Sequence, residues 1–170
     1  MEVRLRQLEE EDLAQLRDWR NDDRLRHGFR EYRLLNMANQ RDWFSHISRS
    51  REVEMFGIEL EVISKIPTRK LVGVCGLCNI NWVNRAAEVS LYIVPERPGV
   101  SELALELLRQ KAFEEFGLRR LWAEVYDFRA VSIARLERCG YVLEGRMREH
   151  VFKQGKYHDS LIYGLLREEE

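Results

Sequence analysis

Apolar positions recur along this chain at two spacings, and the change from one to the other marks out its elements. Glu2–Leu8 reads as a strand, with Val3, Leu5 and Leu8 apolar. Glu10–Arg20 carries Leu13, Leu16, Trp19 and Arg20 three and four apart, the spacing of one helix face. The charged stretch Asn21–Arg33 predicts a short helix and a loop. Asn36 stands where it can cap a helix running to Arg49, whose apolar stripe is Trp43, Phe44 and Ile47. Glu54–Ile63 and Arg69–Asn79 predict a hairpin around Pro67, and Arg85–Val94 predicts a further strand. Leu103, Leu107, Leu108, Ala112, Phe113 and Phe116 share a face of a helix over Ser101–Phe116, with Gly117 as its C-cap. Arg120–Asp127 alternates as a strand, Ala130–Cys139 is a helix ending at Gly140, and Tyr141–Lys153 and Tyr157–Leu166 are strands joined at Gln154-Gly155-Lys156. The order β-α-α-β-β-β-α-β-α-β-β predicts a mixed α/β sheet, with ligands held where strand ends diverge.

The stretch from Glu88 to Leu118 carries the most chemistry. A strand runs into the turn Pro95-Glu96-Arg97-Pro98-Gly99, and a strongly patterned helix follows. The first N–H groups of a helix lack internal partners and sit at the positive end of its dipole, so such a junction can hold an anion. Glu88 projects from the same strand on the face opposite Val89, Leu91 and Ile93. An anion cradle beside an inward carboxylate suggests a phosphate-bearing cofactor next to a general base.

Composition narrows the classes. At 170 residues, one domain (1–170) with a full core is expected. A charged fraction of 34% beside 45% hydrophobic residues argues against disorder, and a net charge of -1 gives no electrostatic case for nucleic acid. No apolar run reaches membrane-spanning length, so no membrane role and a cytoplasmic location are expected. Three cysteines argue against a disulfide scaffold. Cys75 and Cys78 form a CxxC, but on a strand they point to opposite faces, and no metal is assigned.

The words of the chain, taken in order, resemble the GNAT superfamily of N-acetyltransferases. The resemblance is nearest to the branch of ribosomal-protein N-terminal, spermidine and amino-sugar acetyltransferases. It rests on Leu5-Arg6-Gln7-Leu8 through Leu13, Trp19-Arg20-Asn21-Asp22, Asn79-Ile80-Asn81-Trp82 with Asn84-Arg85-Ala86-Ala87-Glu88, and Ala112-Phe113-Glu114-Glu115-Phe116-Gly117-Leu118. It continues through Ser132-Ile133, Cys139-Gly140-Tyr141, Glu144-Gly145-Arg146-Met147-Arg148, Gly155-Lys156-Tyr157-His158-Asp159 and Tyr163-Gly164-Leu165-Leu166. It implies a mostly antiparallel sheet flanked by helices, with acetyl-CoA as donor and a primary amine as acceptor, joined directly in a ternary complex.

An alkyl ammonium must lose a proton before it attacks a thioester, and a carboxylate can take it. By resemblance Glu88 is the preferred base and Glu149 a second candidate. The backbone at Ile93 and Val94 is expected to pair with pantetheine, and Arg97 with the amides of Gly99, Val100 and Ser101 to hold pyrophosphate. Three positions depart from the family pattern. The cofactor loop reads Glu96-Arg97-Pro98-Gly99-Val100-Ser101 and looks short. Arg129 replaces an Asn that meets pantetheine, so it would reach the phosphates or block the channel. Leu136 replaces a Tyr that protonates the leaving thiolate, which leaves Ser132, ahead of Tyr126 and Tyr92, as the hydroxyl for that role. These departures define an alternative: a GNAT fold kept as a binding or regulatory module. Arg17–Arg33, the expected acceptor cover, is mixed and slightly basic, which leans toward an amine carrying negative charge, such as a nucleotide-linked amino sugar. A protein N-terminus also remains open, and a homodimer is compatible with the fold.

Overall fold

The computed structural model describes residues 2–62, 68–94, 97 and 99–167. The elements run β1 (Val3–Gln7), a 3-10 turn (Glu10–Asp12), α1 (Leu13–Asn21), α2 (Asp23–Arg26), α3 (Met37–Ile47), β2 (Glu54–Val62), β3 (Thr68–Asn81) and β4 (Ala86–Ile93). They continue with α4 (Val100–Gln110), which widens into a π-type turn over Lys111–Glu115, then β5 (Arg120–Tyr126), α5 (Ala130–Arg138), β6 (Val142–Lys153) and β7 (Lys156–Leu166). The turn expected at Pro67 lies outside the described residues.

All seven strands join one sheet in the order β1-β2-β3-β4-β5-β7-β6. Every pairing is antiparallel except β4 with β5. That parallel pair is short: Ala86, Ala87 and Glu88 face Arg120, Leu121 and Trp122, and the register ends there. Strand alternation sends Ala87, Val89 and Ile93 of β4, with Leu121, Ala123 and Val125 of β5, into the larger core. There they meet Val100, Ala104, Leu105 and Leu108 of α4, and Leu136 of α5. The opposite face holds a smaller core of Leu8, Leu13, Leu16, Met55 and Val74, against which Trp43, Phe44 and Ile47 of α3 pack. The molecule is therefore helices, sheet, helices, and Cys75 and Cys78 fall into different cores as their spacing on a strand requires.

Local chemistry sets the element ends. Asn36 accepts from the Asn39 amide at 2.9 Å while Asn39 returns a bond to the Asn36 amide at 3.1 Å, a reciprocal cap for α3. Gln154 and Gly155, at φ 51° and 81°, make the two-residue turn that suits the twist of β6 and β7. Two bulges bear on function. Register slips between Cys78 and Asn81 of β3, where Asn79 has φ 51°, and between Met147 and Val151 of β6, where Glu149 has φ 49°. An extra residue in one strand re-aims its neighbours' side chains.

Leu108 is fully buried where α4 crosses the sheet. Leu108→Ala is expected to cost about 2–5 kcal/mol of stability, the usual range for a core leucine. The shift in denaturant midpoint, with an unchanged denaturant slope, measures it.

Candidate active site

Beyond Glu88 and Trp122 the two parallel strands part, and a cleft of about 290 Å³ opens between them. Ser90–Ile93 line one wall, Ala123–Tyr126 the other, and Ser132 and Leu136 of α5 close one side. Leu25, Phe29 and Arg30, on and after α2, close the other. The amide of Val94 donates to the carbonyl of Val72 at 2.7 Å. Alternation along the strand then turns the backbone groups of Ile93 to the opposite edge, into the gap that β5 leaves unpaired.

Glu88 and Glu124 project from the two strands on the face away from α4. Both are buried, with side chains 8% and 7% exposed. Arg30 reaches between them from the loop after α2. Its Nη1 and Nη2 donate to Glu88 Oε2 and Oε1 at 3.1 and 2.5 Å, its Nε to Glu124 Oε2 at 3.1 Å, and its Nη2 again to Glu124. Asn79, turned inward by its bulge, donates from Nδ2 to Glu88 Oε2 at 2.8 Å. On the far side Ser160 donates to Glu124 Oε1 at 2.6 Å, and His150 Nδ1 lies 2.8 Å from the Ser160 hydroxyl. Burial opposes charge on Arg30 and on Glu124. Their mutual bonds outweigh it: Arg30 with Glu88 and Glu124 is held above its usual value, and Glu124, with Ser160 and Arg30, below its own.

The expected site residues fall into three places. Glu88, Ile93, Ser132 and Arg129 line the cleft. Arg129 lies over Gly28, where a Cβ would come within 3.0 Å of its guanidinium carbon, so it roofs the cleft from α5 toward α2. Arg97, Gly99, Val100 and Ser101 stand at the amino end of α4. Gly99 is its N-cap at φ 81°, and the Val100 amide is engaged by the Arg97 carbonyl at 3.2 Å. Glu102, in the same first turn, takes bonds from Ser101 at 3.0 Å and Arg138 at 2.5 Å. Although burial opposes its charge, the Arg138 bond prevails and its carboxyl is held at about 2. Glu149 lies elsewhere, in a separate depression with Arg148 and Asp159. Its bulge turns the neighbouring His150 toward Ser160 instead.

Sequence reasoning did not single out Arg30, Glu124, Ser160 or His150 for this cluster. Glu124 had a readable signal: on the strand following the Glu88 strand it alternates with apolar residues, as Glu88 does. Arg30 had none, being one of many arginines in a charged loop. Most of those arginines are spent locally, with Arg17 on Asp18, Arg24 on Asp22, Arg26 on Asp23 and Arg33 on Glu31. Among the described residues no group of three or more His, Cys, Asp or Glu is arranged to hold a metal, and no described helix is long and apolar enough to cross a membrane.

The central parallel pair of this mixed sheet thus splits beside a buried carboxylate. The sequence profile of the family described as "Acetyltransferase (GNAT) domain" matches residues 2–142, and the chain belongs to that family. It is accordingly an acyl-CoA-dependent N-acetyltransferase. A relative from Bacillus subtilis, the putative ribosomal N-acetyltransferase YdaF, is 32% identical over 130 residues, 75% of this chain and 67% of that protein. Spermidine N(1)-acetyltransferase from Vibrio cholerae is 28% identical over 93 residues, 54% of this chain and about half of that protein's length. A crystal structure of spermidine N-acetyltransferase from Vibrio cholerae, in complex with CoA and spermine, superposes with a TM-score of 0.88. It covers 98% of this chain and 96% of the other at 22% identity, a likeness of fold.

Because Glu124 has its pKa lowered on folding, it stabilises the native state above the ordinary glutamate value and ceases to do so as pH falls through the lowered one. The stability gap between wild type and Glu124→Gln is therefore expected to be widest near neutral pH and to close in acid. Urea midpoints measured across pH check it, and a gap constant down to acid pH contradicts the assignment.

Proposed function

We propose that this protein moves an acetyl group from acetyl-CoA to a primary alkyl amine, with Glu88 as the proton acceptor. The observation that carries the reading is the juxtaposition of an unpaired β4 edge with a buried carboxylate at the point where β4 and β5 part. The residues suit a thioester donor of this shape. The inward backbone of Ile93 offers a strand partner for the pantetheine arm. Arg97 and the start of α4 at Gly99 offer a cationic, helix-start environment for the diphosphate, with the Val100 amide already taken by the Arg97 carbonyl. Arg129, roofing the cleft, is within the same wall and would border the arm rather than the diphosphate.

In this reading the acceptor nitrogen loses its proton to Glu88 and attacks the thioester carbonyl. The new C–N bond forms as the C–S bond breaks. The nitrogen sheds a second proton as the amide forms, and that proton reaches the departing thiolate by way of the Ser132 hydroxyl, the proposed relay at the cleft wall. Glu149, in its separate depression, has no part in these steps. The basic cover that leaned toward an anionic amine is largely neutralised by its own carboxylates, whereas the cleft floor carries Glu88 and Glu124. That floor favours an acceptor that arrives as a cation. The two named relatives act, by their names, on ribosomal proteins and on spermidine, and both kinds of acceptor present such an amine.

Glu88→Gln is expected to lower kcat/KM for amines about 10²- to 10⁴-fold, the usual worth of a positioned general base. Acetyl-CoA binding by calorimetry should stay in place. An unchanged kcat/KM removes Glu88 from the chemistry. Flat titrations of wild type with both acetyl-CoA and desulfo-CoA would favour the non-catalytic module instead.

A further inference from the structure

We infer that Arg30 is an internal occupant of the acceptor's position: its guanidinium stands where the substrate ammonium must go, and it has to swing out before an amine can react. The inference rests on the transfer reading above. Both oxygens of Glu88 are engaged, Oε1 by Arg30 and Oε2 by Arg30 and Asn79. A carboxylate so held has little room for the N–H of an incoming amine. Its main partner keeps its own proton at every accessible pH, so it is a cation without a nucleophilic lone pair. The arrangement observed is thus a resting state, with the base neutralised by a group that resembles the acceptor in charge but cannot be turned over.

The attachment of Arg30 is suited to release. Its side chain is 56% exposed, although the two carboxylates it bridges are buried. It belongs to the short segment after α2, a helix of a single turn. That segment is fastened to the body by contacts around Phe29. The Phe29 ring meets Tyr92 edge-on at 5.3 Å, the Arg20 guanidinium lies 4.2 Å from the ring centre, and Lys153 of β6 donates to the Phe29 carbonyl at 2.7 Å. Phe29 can stay docked while the Arg30 side chain rotates into solvent.

Exchange of a guanidinium for an ammonium conserves charge between Glu88 and Glu124, and the pair of buried carboxylates stays compensated. A neutral or anionic group entering there would leave two carboxylates without a cation, which is strongly unfavourable. The substrate class that follows is an alkyl ammonium, either a di- or polyamine or a lysine-like or N-terminal amine on an extended arm. Arg30 also raises the amine concentration needed, because apparent affinity falls with the fraction of molecules in which the site is open.

Two variants test this. In Arg30→Lys the internal occupant becomes a primary amine, so incubation with acetyl-CoA alone should add one acetyl group at position 30. The gain of 42 Da, localised by peptide mass spectrometry, should follow first-order kinetics independent of protein concentration and be suppressed by adding Glu88→Gln. In Arg30→Ala the KM for 1,4-diaminobutane should fall about tenfold, and methylguanidine should compete with the diamine at least about tenfold better than in wild type. Melting temperature and acetyl-CoA calorimetry establish that each variant is folded and binds donor. A donor-binding Arg30→Lys protein left unmodified at position 30, or an Arg30→Ala protein with unchanged or raised KM, overturns this inference alone. Absence of donor binding in wild type overturns the transfer reading and this inference with it.

Discussion

Everything at this site depends on two parallel strands that pair for three residues and then separate. β4 is held on its other edge by β3 along its length, and β5 by β7, so both stay in the sheet after their own pairing ends at Glu88 and Trp122. The split leaves polar backbone groups of β4 facing an opening inside the protein, a costly arrangement unless something extended pairs with them. The larger core under α4 holds the strands apart at a fixed angle, because their inward side chains are packed from Ala87 to Ile93 and from Leu121 to Val125. A cleft built this way has both strand walls within the sheet, and the segment after α2 closes it.

The same split places two carboxylates on the floor of the cleft. Buried charges survive only when paired and hydrogen-bonded, and here the partners come from every side: Asn79 from β3, Ser160 from β7, His150 from β6 and Arg30 from the loop after α2. Two of these partners depend on bulges. Asn79 adopts a left-handed backbone that asparagine tolerates better than most residues, and the Glu149 bulge turns His150 inward while Glu149 itself faces out. The electrostatic character of the site is therefore acidic beneath an arginine cover, although the chain as a whole is nearly neutral.

Most of the fold was legible as periodicity. The apolar stripes of α1 and α3 and the alternation of the strands appear at nearly the expected boundaries, because each reflects which side of an element meets the core. On α4 the buried face runs through Val100, Ala104, Leu105 and Leu108, and Leu103, expected on that face, is exposed. The differences are local. The first helix begins with a 3-10 turn over Glu10–Asp12, where Arg6 binds Asp12 at 2.7 Å. The C-terminal end of α4 widens into a π-type turn before Gly117. Neither leaves a mark in a pattern of apolar positions, since both are changes of backbone winding within a helix.

What the sequence by itself determined was the order of elements, the family and the inward setting of Glu88. These follow from side-chain period and from words that stay together along the chain. What only the tertiary structure decided was which charged groups meet. Arg30, Asn79, Glu124, His150 and Ser160 come from five different segments, and nothing in their spacing predicts contact. Their convergence depends on strand register, on two bulges that change it, and on a loop folded back over the sheet. Electrostatic pairing falls off over a few ångströms, whereas the sequence records only separation along the chain.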